Sequence, residues 1–189
     1  VMRVKSSFLP AGSSGGTEIV PAERLAERRV VSGVAYQRDQ ARLSVHGLDP
    51  EAGGPAELFA ALAEAGVGVD MIVQARSRAP ADPARPGRAG ATVEFSVEGR
   101  ALAAAERVLA AAPQLETRSE TGLAKVSVVG AGLRGRADIA RTLYSALHAA
   151  GVTVRMLATS EIKISALVAD DHVERAVRAL HAAYGLHEA

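Results

Sequence analysis

The stretch ALAEAGVGVDM at residues 61–71 returns with the same grammar as ALHAAGVTVRM at residues 146–156. In each, apolar residues at helical spacing run into a glycine and then into alternating valines. Gly66 and Gly151 stand where a helix stops, because the residue just past a last turn often adopts a left-handed conformation that glycine takes without strain. A second pair repeats upstream of these: ARLSVHG at 41–47 and AKVSVVG at 124–130. The interval between the paired segments is two residues longer in the second copy, which places a longer loop there. The chain therefore reads as two copies of one unit.

Working outward in the first copy, Ala41–His46 alternates as a strand and Gly47–Pro55 is a Gly/Pro loop. Pro55–Ala65 carries Leu58, Phe59, Leu62 and Ala65 at helical spacing, and Pro55 suits the first helical turn. Val67–Gln74 reads as a strand, and Ala75–Gly90 as a loop rich in Pro, Gly and Arg. Ala91–Val97 alternates again, with Val93, Phe95 and Val97 on one face. Arg100–Ala112 reads as a helix ended by Pro113, and Leu115–Ser119 as a closing strand.

In the second copy, Ala124–Val129 is a strand, Gly130–Arg136 a loop and Asp138–Ala150 a helix. Val152–Ala158 and Ile162–Val168 are strands, the latter with Ile162, Ile164 and Ala166 on its apolar face and Lys163 and Ser165 on the other. Asp171–Tyr184 is a helix with Asp170 or Asp171 as N-cap. Arg29–Tyr36 is one more strand-like piece upstream of both copies. The order β-α-β-β-α-β is the ferredoxin-like split βαβ pattern, an α+β fold. Residues 1–28 read as a linker or the tail of an upstream domain, with VMRVKSSF as a short strand. GSSGG at 12–16 lacks both the strand–loop–helix setting and the following Lys-Ser/Thr of a phosphate loop.

The bulk numbers narrow the function. The chain has 189 residues, 48% of them hydrophobic, which suits one or two globular units. With 22 basic against 21 acidic residues and only 3% aromatics, no nucleic-acid partner is expected. There is no Cys, hence no disulfide framework and no thiolate site. No apolar run approaches a membrane span, so no membrane partner is expected, and the lack of Cys fits the expected cytoplasmic compartment. The His residues, at 46, 148, 172, 181 and 187, fit no common metal geometry. No catalytic residue, metal site or cofactor is expected.

The remaining candidates for chemistry are the two strand–helix loops and the strand entrances expected to face them. A helix N-terminus offers backbone N–H groups to a carboxylate, and Asp70 offers a partner to an ammonium. Read together, each copy presents half of a site for a zwitterion. Equally, the glycines make turns and Asp70 is solvated.

The segments VVSGVAYQRDQARLSVHGL, ALAEAGVGVDMIVQ, KVSVVGAGLR and TSEIKISALV followed by AVRALHAAYGL resemble the C-terminal regulatory part of bacterial aspartokinase. The resemblance covers residues 29–187. It implies an α+β chain of two ferredoxin-like βαββαβ ACT domains in tandem, at 38–119 and 120–187, with strand 29–36 joining the second sheet and residues 1–28 as linker or kinase-domain tail. No Lys-Phe-Gly-Gly-Thr-Ser kinase motif is present, so the chain is similar to the small β subunit of a heterotetrameric enzyme, or to a fragment of a longer one, and no phosphotransfer is expected from it alone.

The implied function is feedback control of aspartate phosphorylation by threonine and/or lysine. The implied partners are the amino-acid effector, an aspartokinase catalytic subunit or domain, and a second copy in a homodimer. The effector-binding residues implied are Gly53, Ala56, Val69, Asp70 and Gln74 in the first copy. In the second they are Arg134, Ile139, Thr153, Val154, Ser160 and Glu161. The chain departs from the family at Pro50-Glu51-Ala52-Gly53, at Ala75, at Arg155 and at Asp138. A carboxylate at Asp138, where the family has a small residue, is expected to repel an effector carboxylate. The alternative is a scaffold that holds a dimer or stabilises a kinase without sensing.

Overall fold

Two long antiparallel strands, β3 (Val31–Leu48) and β6 (Glu116–Gly130), run side by side through the middle of a six-stranded sheet. The computed structural model describes residues 2–4, 17–19, 30–77 and 90–186. Within these, β1 (Met2–Val4) pairs with β2 (Thr17–Ile19) in a separate two-stranded ribbon. The GSSGG segment, the rest of residues 1–29, most of the Ala75–Gly90 loop and His187 lie outside the described residues.

The chain continues from β3 through α1 (Gly54–Glu64), β4 (Asp70–Ser77), β5 (Gly90–Glu98) and α2 (Gly99–Ala110) into β6. It then runs through α3 (Ala137–Ala149), β7 (Met156–Thr159), β8 (Lys163–Ala169), a 3₁₀ turn (Asp170–His172) and α4 (Val173–Ala183). The sheet order is β4-β5-β3-β6-β8-β7. The C-terminal half of β3 pairs with β5 and with the N-terminal half of β6, whereas Val31–Gln37 pairs with Lys125–Gly130. Each half of the sheet thus has the ferredoxin-like order, with first and fourth strands adjacent and the second at an edge.

The stop signals of the repeat work alike. Gly66 and Gly151 have φ of 69° and 66°. Gly66 N–H donates to Ala63 O and Val67 N–H to Leu62 O; Gly151 and Val152 make the same two bonds to His148 O and Leu147 O. This is the Schellman arrangement, and the buried Val67 and Val152 supply its apolar contact. Two helix-side cores result. One gathers Leu43, Val45, Leu58, Leu62, Phe95 and Leu109. The other gathers Val126, Val128, Leu143, Leu147, Ile164 and Leu180.

Several elements differ from the sequence reading. Val31–Tyr36, of the piece expected at 29–36, and Ala41–His46 belong to one strand, because a register irregularity at Gln37–Gln40, with Asp39 at φ 56°, bends β3 without breaking it. Glu116–Ser119, of the expected strand Leu115–Ser119, and Ala124–Val129 likewise lie at the two ends of β6. The second strands begin later than expected, at Asp70 and Met156, since Val67 and Val152 are used to close the preceding helices. Ile162 is 60% exposed and not inward, because the chain is still turning there: Ser160 N–H donates to Lys163 O at 2.8 Å. Ser165, expected on a solvated face, is buried and its hydroxyl pairs with that of Ser127 at 2.8 Å. Asp170 does not cap α4; its carboxylate binds Arg38 at 2.8 Å.

Ser165 is buried because the second sheet face is also covered. Met71 from β4 and Met156 from β7 join Leu123 and Leu167 in a third cluster on that face. β4 and β7 are opposite edges in hydrogen-bond order, so the twisted sheet curls until its edges meet. A bulge between Asp70 and Val73 aims Met71 at this joint, with Met71 held at φ 49°. That conformation costs a non-glycine residue about 1–2 kcal/mol, and the Met71 N–H bond to Asp70 Oδ1 at 2.8 Å helps to hold it.

Leu62 and Leu147 are repeat-equivalent and at most 1% exposed. Truncating either to Ala is expected to destabilise the protein by about 2–5 kcal/mol, read from denaturant unfolding. A loss under about 1 kcal/mol would mean that its half is not packed as described.

Candidate functional site

The second-copy loop and the turn between β7 and β8 form one cleft because backbone bonds tie them together. Gly130 N–H donates to Ile162 O at 3.0 Å and Leu133 N–H to Glu161 O at 3.1 Å, while the buried Leu133 side chain anchors the loop in the core. Gly132 and Gly135, at φ 70° and 74°, make the bends that this path requires. The cleft, of about 570 Å³, is lined by Arg134, Arg136, Thr159, Ser160 and Glu161. Ser160 closes the turn with its own hydroxyl, accepting from Lys163 N–H at 3.2 Å. The Arg134 and Glu161 side chains are exposed and have no ion-pair partner among the described residues.

Asp138, at the start of α3, does not line this cleft. Arg136 grips it with two bonds of 2.8 and 2.7 Å. That grip, helped by the Asp138 and Ile139 N–H groups, holds the carboxyl at about 2 and raises the Arg136 guanidinium. The expected repulsion of an effector carboxylate is therefore offset by a paired cation that does line the cleft.

A second cleft, about 640 Å³, lies where the halves meet and is lined by Gln37, Gln40, Val69, Asp70, Ser96 and Lys125 among others. Lys125 Nζ donates to Asp70 Oδ2 at 2.6 Å. Burial pushes the Asp70 carboxyl up, but the Lys125 bond, the Met71 N–H and the charges of Lys125 and Lys163 together hold it below the ordinary value. The Ser96 hydroxyl is fully buried with no partner among the described residues.

The residues singled out from sequence do not form one site. Arg134, Ser160 and Glu161 share the first cleft, and Val69 and Asp70 the second. Gly53 begins α1 at φ 85°. It lies at the opposite end of the first half from Asp70, because β4 starts beside Ser96, level with the start of the β3–β5 pairing. The expected juxtaposition of the first loop with the Asp70 entrance therefore does not occur within one chain. Ala56 is exposed on α1 and Gln74 exposed on β4. Thr153 is exposed and Val154 half-buried against the second core, ahead of β7. Ile139 is buried there; its N–H donates to Arg136 O and its carbonyl accepts the Tyr184 hydroxyl.

Lys125 was missed, although the repeat held the signal. Its counterpart in ARLSVHG is Arg42, and each cation reaches the second-strand entrance of the other half. Lys125 binds Asp70, and Arg42 donates to Arg155 O at 2.8 Å. Glu120 forms ion pairs with both Arg42, at 2.9 Å, and Arg155, at 3.4 Å.

Comparison with known proteins bears on this arrangement. A family model described as an ACT domain matches residues 126–184. The solved regulatory subunit of aspartate kinase from Thermus thermophilus, in its ligand-free form, is 32% identical, with a TM-score of 0.70 over 82% of this chain and 99% of that one. An aspartokinase of Thermus thermophilus is 36% identical over 100% of this chain but only 45% of its own length. This chain belongs to the aspartokinase regulatory family. A solved structure of aspartokinase alpha and beta subunits is similar at 28% identity and TM-score 0.69, covering 82% of this chain and 99% of that one. The chain spans less than half the length of the aspartokinases it matches. Among the described residues no helix is long and apolar enough to cross a membrane.

Because folding lowers the Asp70 pKa, its stabilising contribution is complete above the ordinary value of 3.8 and is lost as pH falls through the lower folded value. Lys125→Met removes the main lowering influence, so the Asp70 titration should move to higher pH and the stability that Asp70 loses on acidification should shrink. Carboxyl-carbon NMR reads this directly; an unchanged midpoint would show that the ion pair does not form in solution.

Proposed function

We propose that this chain is the effector-sensing regulatory part of an aspartokinase, binding threonine or lysine and passing the signal to a catalytic subunit or domain that phosphorylates aspartate in the cytoplasm. The sensing units are taken as residues 38–119 and 120–187, with the strand at 29–36 completing the second. The observation that carries the reading is the one cleft lined by Arg134, Ser160 and Glu161, its two opposite charges both without an ion-pair partner among the described residues. An α-amino acid has the complementary groups: its carboxylate suits Arg134 and its ammonium Glu161. A relative solved with alpha and beta subunits together supports a catalytic partner.

Calorimetric titration with threonine and lysine tests the reading. Binding of one is expected, and Glu161→Ala or Arg134→Ala should each weaken it about 10- to 100-fold, as loss of a charge-assisted hydrogen bond does. A second reading, a scaffold without sensing, draws on two observations: Lys125 already occupies Asp70, and Ser160 spends its hydroxyl on the turn. Absence of heat with either amino acid would favour that scaffold.

A homodimer fits the exposed edge strand β4, where Ile72 and Val73 are 50% and 39% exposed. Sedimentation at micromolar concentration is expected to show about twice the 19.5 kDa chain mass, with Ile72→Glu returning it to the monomer. A wild-type monomer would count against the dimer.

A further inference from the structure

Because the halves are built alike, each side chain filling one core has a counterpart position in the other. Matching Gly66-Val67 to Gly151-Val152 sets Leu58 with Leu143, Leu62 with Leu147 and Gly54 with Ile139. Matching Leu109 to Leu180 and Leu115 to Leu186 sets Pro113 with Tyr184. In the second half Ile139 is buried, and Tyr184 packs against the same core. The Tyr184 hydroxyl donates to Ile139 O at 2.7 Å, so its ring joins the end of α4 to the start of α3. Burial and the nearby Asp138 charge push this phenol up to about 12, so it remains a donor at neutral pH.

The first half has lost both groups. Gly54 cannot regain a side chain without movement of the loop: a Cβ there would lie 3.0 Å from Asp49 N and O, and the Gly54 N–H already donates to Asp49 O at 2.8 Å. Pro113, at the position matched to Tyr184, carries no aromatic ring and does not border the groove there. A groove of about 440 Å³ remains between α1 and α2, bordered by Leu48, Leu58, Ala61, Val108, Leu109 and Leu115. Its size is in the range of small-molecule sites, and its walls are mainly apolar.

We propose that this groove is a binding site for a small phenol-class ligand. The ring takes the place that Tyr184 fills in the other half, and the hydroxyl donates to the Gly54 carbonyl, the counterpart of Ile139 O. A carbonyl at a helix start has two lone pairs, of which the helix uses one. Asp49 and Glu57 on the rim disfavour phenols that carry a carboxylate.

Methyl-resolved NMR of the full chain, titrated with p-cresol, tests the site. Saturable shifts are expected at Leu58, Val108, Leu109 and Leu115 and not at Leu143 and Leu180. p-Xylene, equal in shape but without a hydrogen-bond donor, should bind roughly tenfold more weakly. Ala61→Phe places a ring in the groove and should abolish the shifts. If that variant does not fold, the two probes on the wild-type chain decide the matter. No saturable shift at these methyls, equal affinity for both probes, or undiminished binding to a folded Ala61→Phe would overturn the proposal.

Discussion

The backbone ladder between β3 and β6 is the contact on which the rest of the structure depends. Each strand is long enough to serve twice: one end closes the first half of the sheet, the other end the second. Neither half is complete without a piece of chain that belongs, by sequence order, to the other. A half deprived of its borrowed strand would expose an unpaired edge and one side of its core. The irregularities at Gln37–Gln40 keep both ends paired while the sheet bends between them.

That bend brings opposite edges together. Met71 and Met156 occupy equivalent positions in the repeat and meet across the joint, so the third cluster is built from the two copies facing each other. Around it, Lys125 reaches Asp70 and Arg42 reaches Arg155 O, again from equivalent positions. Glu120 then holds Arg42 and Arg155 together. A change at either second-strand entrance is therefore felt by a first strand of the other half. Asp70 and Lys125 both line the cleft at the joint, and Lys125 is itself part of β6.

The two copies have diverged most where function and packing compete. At the strand–helix loop, the second copy spends Leu133, Ile139 and Tyr184 on its core. For Ile139 and Tyr184 the first copy has Gly54 and Pro113, and it retains a groove. At the second-strand entrance the divergence is in charge, Asp70 against Arg155, and the partners follow: a cation for the carboxylate, Glu120 for the guanidinium. The same fold thus carries two unlike surfaces, and the likeness to aspartokinase regulatory subunits concerns the framework that both share.

The sequence by itself determined the repeat, the element types and the helix-side cores. These rest on local rules: a period near 3.6 for Leu58–Leu62 and Leu143–Leu147, a period of 2 for Val93-Phe95-Val97, and glycine after a last helical turn. The family likeness carried by TSEIKIS and GVDMIVQ was legible for the same reason, since a motif is contiguous. Only the tertiary structure decided which ends meet. That Gly53 and Asp70 lie at opposite ends follows from strand order, which no local period encodes. Ser165 is buried because two distant edges curl together, and Met71 faces the joint because a bulge turns it there. The Lys125–Asp70 pair and the empty counterpart of Tyr184 arise between residues far apart in the chain, where the energy of a contact depends on the path of the backbone and not on the identity of its neighbours in sequence.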